Sequence, residues 1–309
     1  MILSVKNLCK NFADTQAVKR LNFQLSGGDI TGFVGPNGAG KTTTLRMMAS
    51  IEEPSSGSIE LDGHSIISNP ELAREKIGFV PDTLPTQDDM TVFEYIDFFA
   101  RAYAIKPARR RVLVHDLMEF TNLLGIREKL LSALSKGMKQ RVSIARSLIH
   151  DPAFILMDEP AAGLDPRARI ELRELLRVLS RQGKGILISS HILSELSEIC
   201  SSTLIIEQGA MLKFGSIEEI TENDVSHRRL IIRPLGSLEE FSNFMILLPG
   251  VENLVVNGKF VEFDFAGSDD DAFILLKEIV SSDRKITEFR FRQQNLESVF
   301  MNITKGEVQ

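Results

Sequence analysis

Residues Gly35 to Thr42 read Gly-Pro-Asn-Gly-Ala-Gly-Lys-Thr, between the apolar run Ile30–Val34 and a stretch of helical spacing from Lys41 to Ser50. The pattern fills every fixed position of G-x-x-x-x-G-K-[ST], and each fixed residue type has a mechanical job. Glycines let successive backbone N–H groups curl around a phosphate chain and approach it closely. Lys41 brings a mobile point charge to the β- and γ-phosphates. The Thr42 hydroxyl can take one position on a Mg²⁺. Gly35, Pro36, Asn37, Gly38, Ala39, Gly40, Lys41, Thr42 and the adjoining Thr43 are therefore candidate nucleotide-binding residues. A short buried strand, a glycine turn and a helix N-terminus form the setting that an anion site requires. They commit the chain to an α/β fold with a parallel central sheet.

The 309 residues are 43% hydrophobic and 25% charged, which suits a globular chain with one large core or two smaller ones. A formal net charge of −6 argues against a non-specific nucleic-acid binder, so no nucleic-acid partner is expected. Cys9 and Cys200 lie far apart without metal-ligand spacing and read as ordinary thiols of a reducing compartment. Ile2–Val5 reads as a strand rather than a secretion signal, and no apolar run approaches the length of a membrane span. The expected location is cytoplasmic. Work at a membrane would need another chain to supply the spans.

Strands and helices alternate up to about Gly215. Ile2–Val5, Val18–Leu25 and Ser58–Leu61 read as an antiparallel edge. Ile30–Val34, Ile77–Val80, Phe154–Met157, Gly185–Ser189 and Leu204–Glu207 read as central strands. Residues 91–150 break the alternation with three helical patterns and no strand. The first opens on Thr91-Val-Phe-Glu94, a capping box, the second follows Pro107, and the third runs from Gly137 to Ile149. The polar stretch 221–229 reads as a linker. Beyond it the order β-α-β-β-α-β, with the hairpin signal Asn257-Gly258, predicts a small C-terminal α+β domain over 230–309 of ferredoxin-like type, ending in a helix from Asn295.

Phe154-Ile-Leu-Met157 is an apolar strand that stops in Asp158-Glu159. Such a strand places both carboxylates at the carboxyl end of a parallel sheet, where these folds bind ligands. Asp158 can hold Mg²⁺ directly or through water, and Glu159 can take a proton from an attacking water. At this point the chain resembles the ATP-binding subunits of ABC transporters over residues 1 to about 220. Leu134-Ser-Lys-Gly-Met138 stands where that family carries its signature, usually Leu-Ser-Gly-Gly-Gln. Ala162–Asp165 resembles its D-loop, His191 its switch histidine, Phe12 the aromatic residue that stacks on adenine, and Asp82 falls at the Q-loop glutamine.

The resemblance implies ATP and Mg²⁺ as cofactors and a dimer of ATP-binding subunits, either two copies or one copy with a related chain. Ser135 and Gly137 of one chain would close over ATP held by the other. It also implies an integral-membrane permease, docked at the helical subdomain (about 85–150), with the chain peripheral on the inner face of the cell membrane. Helix aromatics Phe93, Tyr95, Phe98, Phe99 and Tyr103 divide between core packing and that docking. Three positions depart from the family pattern. Asp82 only accepts hydrogen bonds where glutamine also donates, although it can ligate Mg²⁺. Lys136 replaces a glycine and Met138 a polar residue. Gln87, near Asp82, fits the spacing poorly as a substitute. Asn295–Phe300 and Gly163–Pro166 resemble the ATPases of bacterial drug, polysaccharide and lantibiotic-type exporters. The function expected is an ATPase powering a membrane exporter. Rival readings are a soluble ATPase of the superfamily acting on ribosomes or DNA, and a nucleotide-sensing module with little turnover.

Overall fold

A computed structural model describes residues 1–85, 89–222, 228–292 and 300. Contacts divide the chain into two units, Met1–Ile220 together with Leu296–Gln309, and Thr221–Asn295.

In the first unit β1 (Ile2–Phe12) and β2 (Thr15–Ser26) form a long antiparallel hairpin. β3 (Ile30–Val34) leads through the glycine loop into α1 (Lys41–Met48). β4 (Ser56–Leu61) pairs with β1 and carries the short β5 (His64–Ser65) on its other side. α2 (Pro70–Lys76) runs into β6 (Ile77–Val80), and the helical insert follows as α3 (Val92–Ala102), α4 (Pro107–Phe120) and α5 (Lys136–Leu148). The alternation then resumes with β7 (Phe154–Met157), α6 (Pro166–Arg181), β8 (Gly185–Ser190), α7 (Leu193–Ser197), β9 (Ser202–Glu207), β10 (Ala210–Ser216) and α8 (Ile217–Glu222).

The sheet order is β5-β4-β1-β2-β10-β9-β3-β8-β7-β6, and β9, β3, β8, β7 and β6 are mutually parallel. The expected parallel core with an antiparallel edge is present. Its cause is legible in the alternation along the buried strands. Ile155 and Met157 of β7, with Ile186 and Ile188 of β8, face one core, on the side of the helical insert and α6. Phe154, Leu156 and Leu187 face the other, with Leu45, Met47 and Met48 of α1. Each such side chain contributes roughly 1.5–3 kcal/mol by leaving water. A charge at Leu156 would be stranded in the sheet's interior.

The capping box at α3 forms as expected: Glu94 N–H donates to Thr91 Oγ1 at 3.2 Å and Thr91 N–H to Glu94 Oε2 at 2.8 Å. β10 was not anticipated. None of its residues is fully buried, Leu212 and Phe214 are exposed, and it pairs antiparallel with β9 but through a single register pair with β2.

The second unit has β11 (Arg228–Pro234), α9 (Leu238–Met245), β12 (Val251–Asn257), β13 (Phe260–Phe265), α10 (Asp269–Ser281) and β14 (Ile286–Phe291). This is the expected β-α-β-β-α-β order, folded as an antiparallel sheet β12-β13-β11-β14 with its own core around Ile232, Phe241, Phe263 and Ile279. Gly258 turns the β12–β13 hairpin at φ +61°, which suits glycine. Five linker residues, 223–227, and the helix expected from Asn295 lie outside the described residues, as does Gln87. Phe300 is described, and it packs against the first unit's core beside the helical insert.

Candidate functional site

The glycine loop is shaped by backbone crowding. A Cβ on Gly35 would stand 2.4 Å from the Ile206 carbonyl oxygen, and one on Gly40 would stand 2.5 Å from that of Ala17. Gly40 caps α1 in the left-handed region at φ +100°. Ala39 N–H closes the turn onto Pro36 O, and Gly209 N–H donates to Ala39 O, so the loop is braced by the β9–β10 turn. Thr42 and Thr43, half-buried, open the first turn of α1. Thr44 is turned away, its hydroxyl donating to Gly40 O at 2.8 Å.

Lys41 is 5% exposed and folded back on the loop. Its Nζ donates to Gly35 O at 2.7 Å and Pro36 O at 3.1 Å, and stands 3.6 Å from Glu159 Oε1. Burial pushes the Lys41 ammonium below its ordinary range, against the pull of Glu159 and Asp158. A polyanion arriving at the loop would relieve that cost.

The strand-end carboxylates stand opposite. β7 is buried throughout and delivers Asp158, itself buried, at its end. Ser189, wholly buried at the end of β8, ties the pair together: its hydroxyl donates to Asp158 Oδ1 at 2.8 Å and accepts from Glu159 N–H at 2.9 Å. Glu159 sits at φ +47°, a conformation that non-glycine residues adopt at a cost. Its Oε2 pairs with His191 Nδ1 at 2.8 Å, while its buried Oε1 has no hydrogen-bond partner. Lys41, Asp158, Glu159, Ser189 and His191 thus form one connected cluster at the carboxyl ends of β7 and β8. Sequence reasoning missed Ser189. The available signal was a polar Ser189-Ser190 step closing an apolar strand.

Phe12 is 45% exposed at the end of β1, with Lys10 Nζ 4.8 Å from its ring centroid. It is not a core residue. Ser135 caps α5 from an exposed position, accepting from Met138 N–H at 3.3 Å. Gly137 lies close under α6, where a Cβ would meet that of Ala168 at 3.4 Å. Asp165 caps α6 by accepting from Ala168 N–H. Asp82, half-exposed after β6, stands 3.9 Å from Lys136 Nζ rather than in the carboxylate cluster.

A groove lies between α1, β6, α3 and α5, lined by Ile51, Phe79, Phe99, Tyr103, Arg146 and His150. The aromatics of α3 divide. Tyr95 is buried, with its hydroxyl on Pro85 O; Phe93 and Phe99 are half-buried; Phe98 and Tyr103 are exposed at 55% and 43%. Tyr103 stacks on His150 with ring centroids 4.6 Å apart. Burial pushes the His150 imidazole below its ordinary range.

A glycine loop at a helix N-terminus, facing strand-end carboxylates across a parallel sheet, defines a nucleoside triphosphatase of the P-loop class. The sequence pattern of the ABC transporter family matches residues 18–162. The chain is 34% identical to the Nod factor export ATP-binding protein I of Paraburkholderia xenovorans (strain LB400), over 97% of this chain and 96% of that one. Among solved structures, cbiO1 from Clostridium perfringens, part of the ABC transporter complex cbiONQ, superposes with a TM-score of 0.65 at 30% identity, over 72% of this chain and 91% of that one. An ATP binding subunit of an ABC transporter superposes with a TM-score of 0.66 at 29% identity, over 72% and 93%. The chain belongs to the ABC transporter family, as an ATP-binding and ATP-hydrolysing subunit. Among the described residues no helix is long and apolar enough to cross a membrane.

Proposed function

We propose that this chain powers an exporter, and that its work is done by two ATP sites shared between two ATP-binding subunits. The observation that carries the export reading is the span of the similarity: the exporter relative matches over 97% of the chain, the second unit included, and not over the ATPase unit alone. In each site Gly35–Thr43 would hold the phosphates, with Lys41 turning from its own loop carbonyls to the β- and γ-phosphates. Phe12 would stack on the base. Mg²⁺ suits the donor set, since Thr42 and Asp158 offer hard oxygens, with Ser189 fixing one carboxylate oxygen of Asp158. Bound there, it would neutralise charge on the β- and γ-phosphates. Glu159 would take the proton of the attacking water, with Oε1, freed as Lys41 turns to the phosphates, as the acceptor and His191 orienting Oε2. Ser135 and Gly137 would come from the second subunit, whether a second copy or a related chain.

The permease would dock in the groove beside α3, where Phe98, Tyr103 and Ile51 are exposed. That docking would hold the chain on the inner face of the membrane. The test is reconstitution of the chain with its permease subunit in sealed vesicles. ATP-dependent movement of cargo from the ATPase side to the other is the expected outcome, and uptake toward the ATPase side would overturn the export reading.

A further inference from the structure

The sheet of the second unit packs one face against α9 and α10 through Leu230, Ile232, Val261 and Phe263. Alternation along β11 turns Arg229, Ile231 and Arg233 to the other face, and Ile231 has Glu262 and Arg290 as its ladder partners. That face carries a depression of about 700 Å³, lined by Ile231, Phe260 and the turn Asn257–Lys259. Its lining also holds Arg233, Arg290 and Arg292, against the carboxylate of Glu262.

The carboxylates in reach are already engaged. Glu262 stands 3.3 Å from Arg229 Nε and 3.8 Å from Arg292 Nη1, and accepts from Asn257 Nδ2 at 3.2 Å. Asp264 lies 3.6 Å from Arg229 Nη1. Glu288 is opposite Arg233 in the ladder, yet its carboxylate pairs with Arg290. Arg233 is half-buried and, among the described residues, pairs with no carboxylate; nor does the exposed Lys259. A half-buried guanidinium without a counter-ion has given up hydration for nothing in return. Two surplus cations beside one depression call for an anion from outside.

We propose that this face of the second unit binds a phosphate group, carried by a soluble ester or by a lipid headgroup, with Arg233 and Lys259 as its charged ligands. A carboxylate would bring one charge, whereas a phosphate monoester brings about −1.5 to −2 at neutral pH and answers both cations. The planar fork of Arg233 suits two phosphate oxygens, and the long stem of Lys259 lets its ammonium close on a third. Ile231 and Phe260 give apolar footing to the body that carries the phosphate.

The chain contains no tryptophan, so Phe260→Trp places one fluorophore beside the site in the full chain. Inorganic pyrophosphate, titrated without Mg²⁺, should change its emission saturably. Arg233→Gln keeps much of the stem and removes the charge; it should raise the Kd about tenfold or more, the size of one charge-assisted contact. Adding Lys259→Gln should abolish saturation. The response should persist in a Lys41→Ala chain; its loss there would trace the signal to the glycine loop and overturn the site. Two further probes separate the sources. Saturation by glycerol 3-phosphate assigns the phosphate to a soluble ester. Sedimentation with phosphatidylcholine vesicles containing phosphatidic acid, but not with pure phosphatidylcholine, assigns it to a lipid, provided that Arg233→Gln releases the chain. No response to pyrophosphate and no retention on the acidic vesicles overturns the site, as does a response that both glutamine substitutions leave unchanged. If Phe260→Trp melts early, calorimetry on the Lys41→Ala chain, with and without Arg233→Gln, reads the same difference.

Discussion

Two lysines of this chain stand at opposite extremes. Lys41 is almost wholly buried, held by two backbone carbonyls and flanked by Glu159. Lys136 is half-exposed, with one carboxylate at 3.9 Å. The same contrast separates their neighbourhoods. Around Lys41 lie wholly buried strands, a glycine loop braced on both sides and the Ser189 bridge. Around Lys136 lie an exposed cap and loops open to solvent. The first half is assembled by folding, the second is offered to whatever approaches. The proposed shared site needs both properties, rigidity where the nucleotide is first held and availability where a second molecule must close.

That contrast can be broken most severely at Glu159. Glu159→Gln should lower steady-state phosphate release about 10²–10⁴-fold, the range for a lost general base, with ATP binding retained. Ordinary turnover would remove Glu159 from the chemistry. Lys41→Ala should cost about 1.5–3 kcal/mol of ATP affinity, about ten- to a hundredfold by calorimetry, and unchanged affinity would put the phosphates elsewhere. Ser189→Ala leaves Asp158 Oδ1 and Glu159 N–H without their partner. It should lower stability by about 1–3 kcal/mol in urea unfolding, and an unshifted midpoint would show that the assembled half is looser than its geometry. Phe12→Ala should weaken ATP binding about tenfold by loss of base stacking and leave the melting temperature alone, because the ring is exposed.

The smallest effect belongs to the groove. Burial lowers the His150 pKa in the folded chain, so below about pH 6.5 the unfolded chain binds more protons and stability falls as pH drops toward the folded value. His150→Gln should flatten that slope. A slope left intact would trace it to other groups.

What was legible in the sequence was what is local. The loop Gly35–Thr42 and the pair Asp158-Glu159 each sit on one strand end, so residue type and spacing carried their meaning. The β-α-β-β-α-β order of the second unit was legible for the same reason: each element has its own period and its own turn. What escaped depends on partners distant in the chain. Ser189 looks ordinary until Asp158 is beside it. Asp82 and Lys136 each read as a defect in a pattern, and their pairing exists only because β6 and the start of α5 converge. β10 lacked a clean alternation, with Leu212 and Phe214 exposed and its other residues half-buried.

The backbone at residue 159 carries a consequence for any redesign of this chain. A left-handed conformation is one that glycine occupies at little cost and glutamate does not. Glycine there would relieve the backbone strain, at the cost of the carboxylate that faces Lys41 and His191. On the proposed role of Glu159 as base, that strain is kept for the sake of chemistry, and a thermostabilised descendant with glycine there should lose turnover.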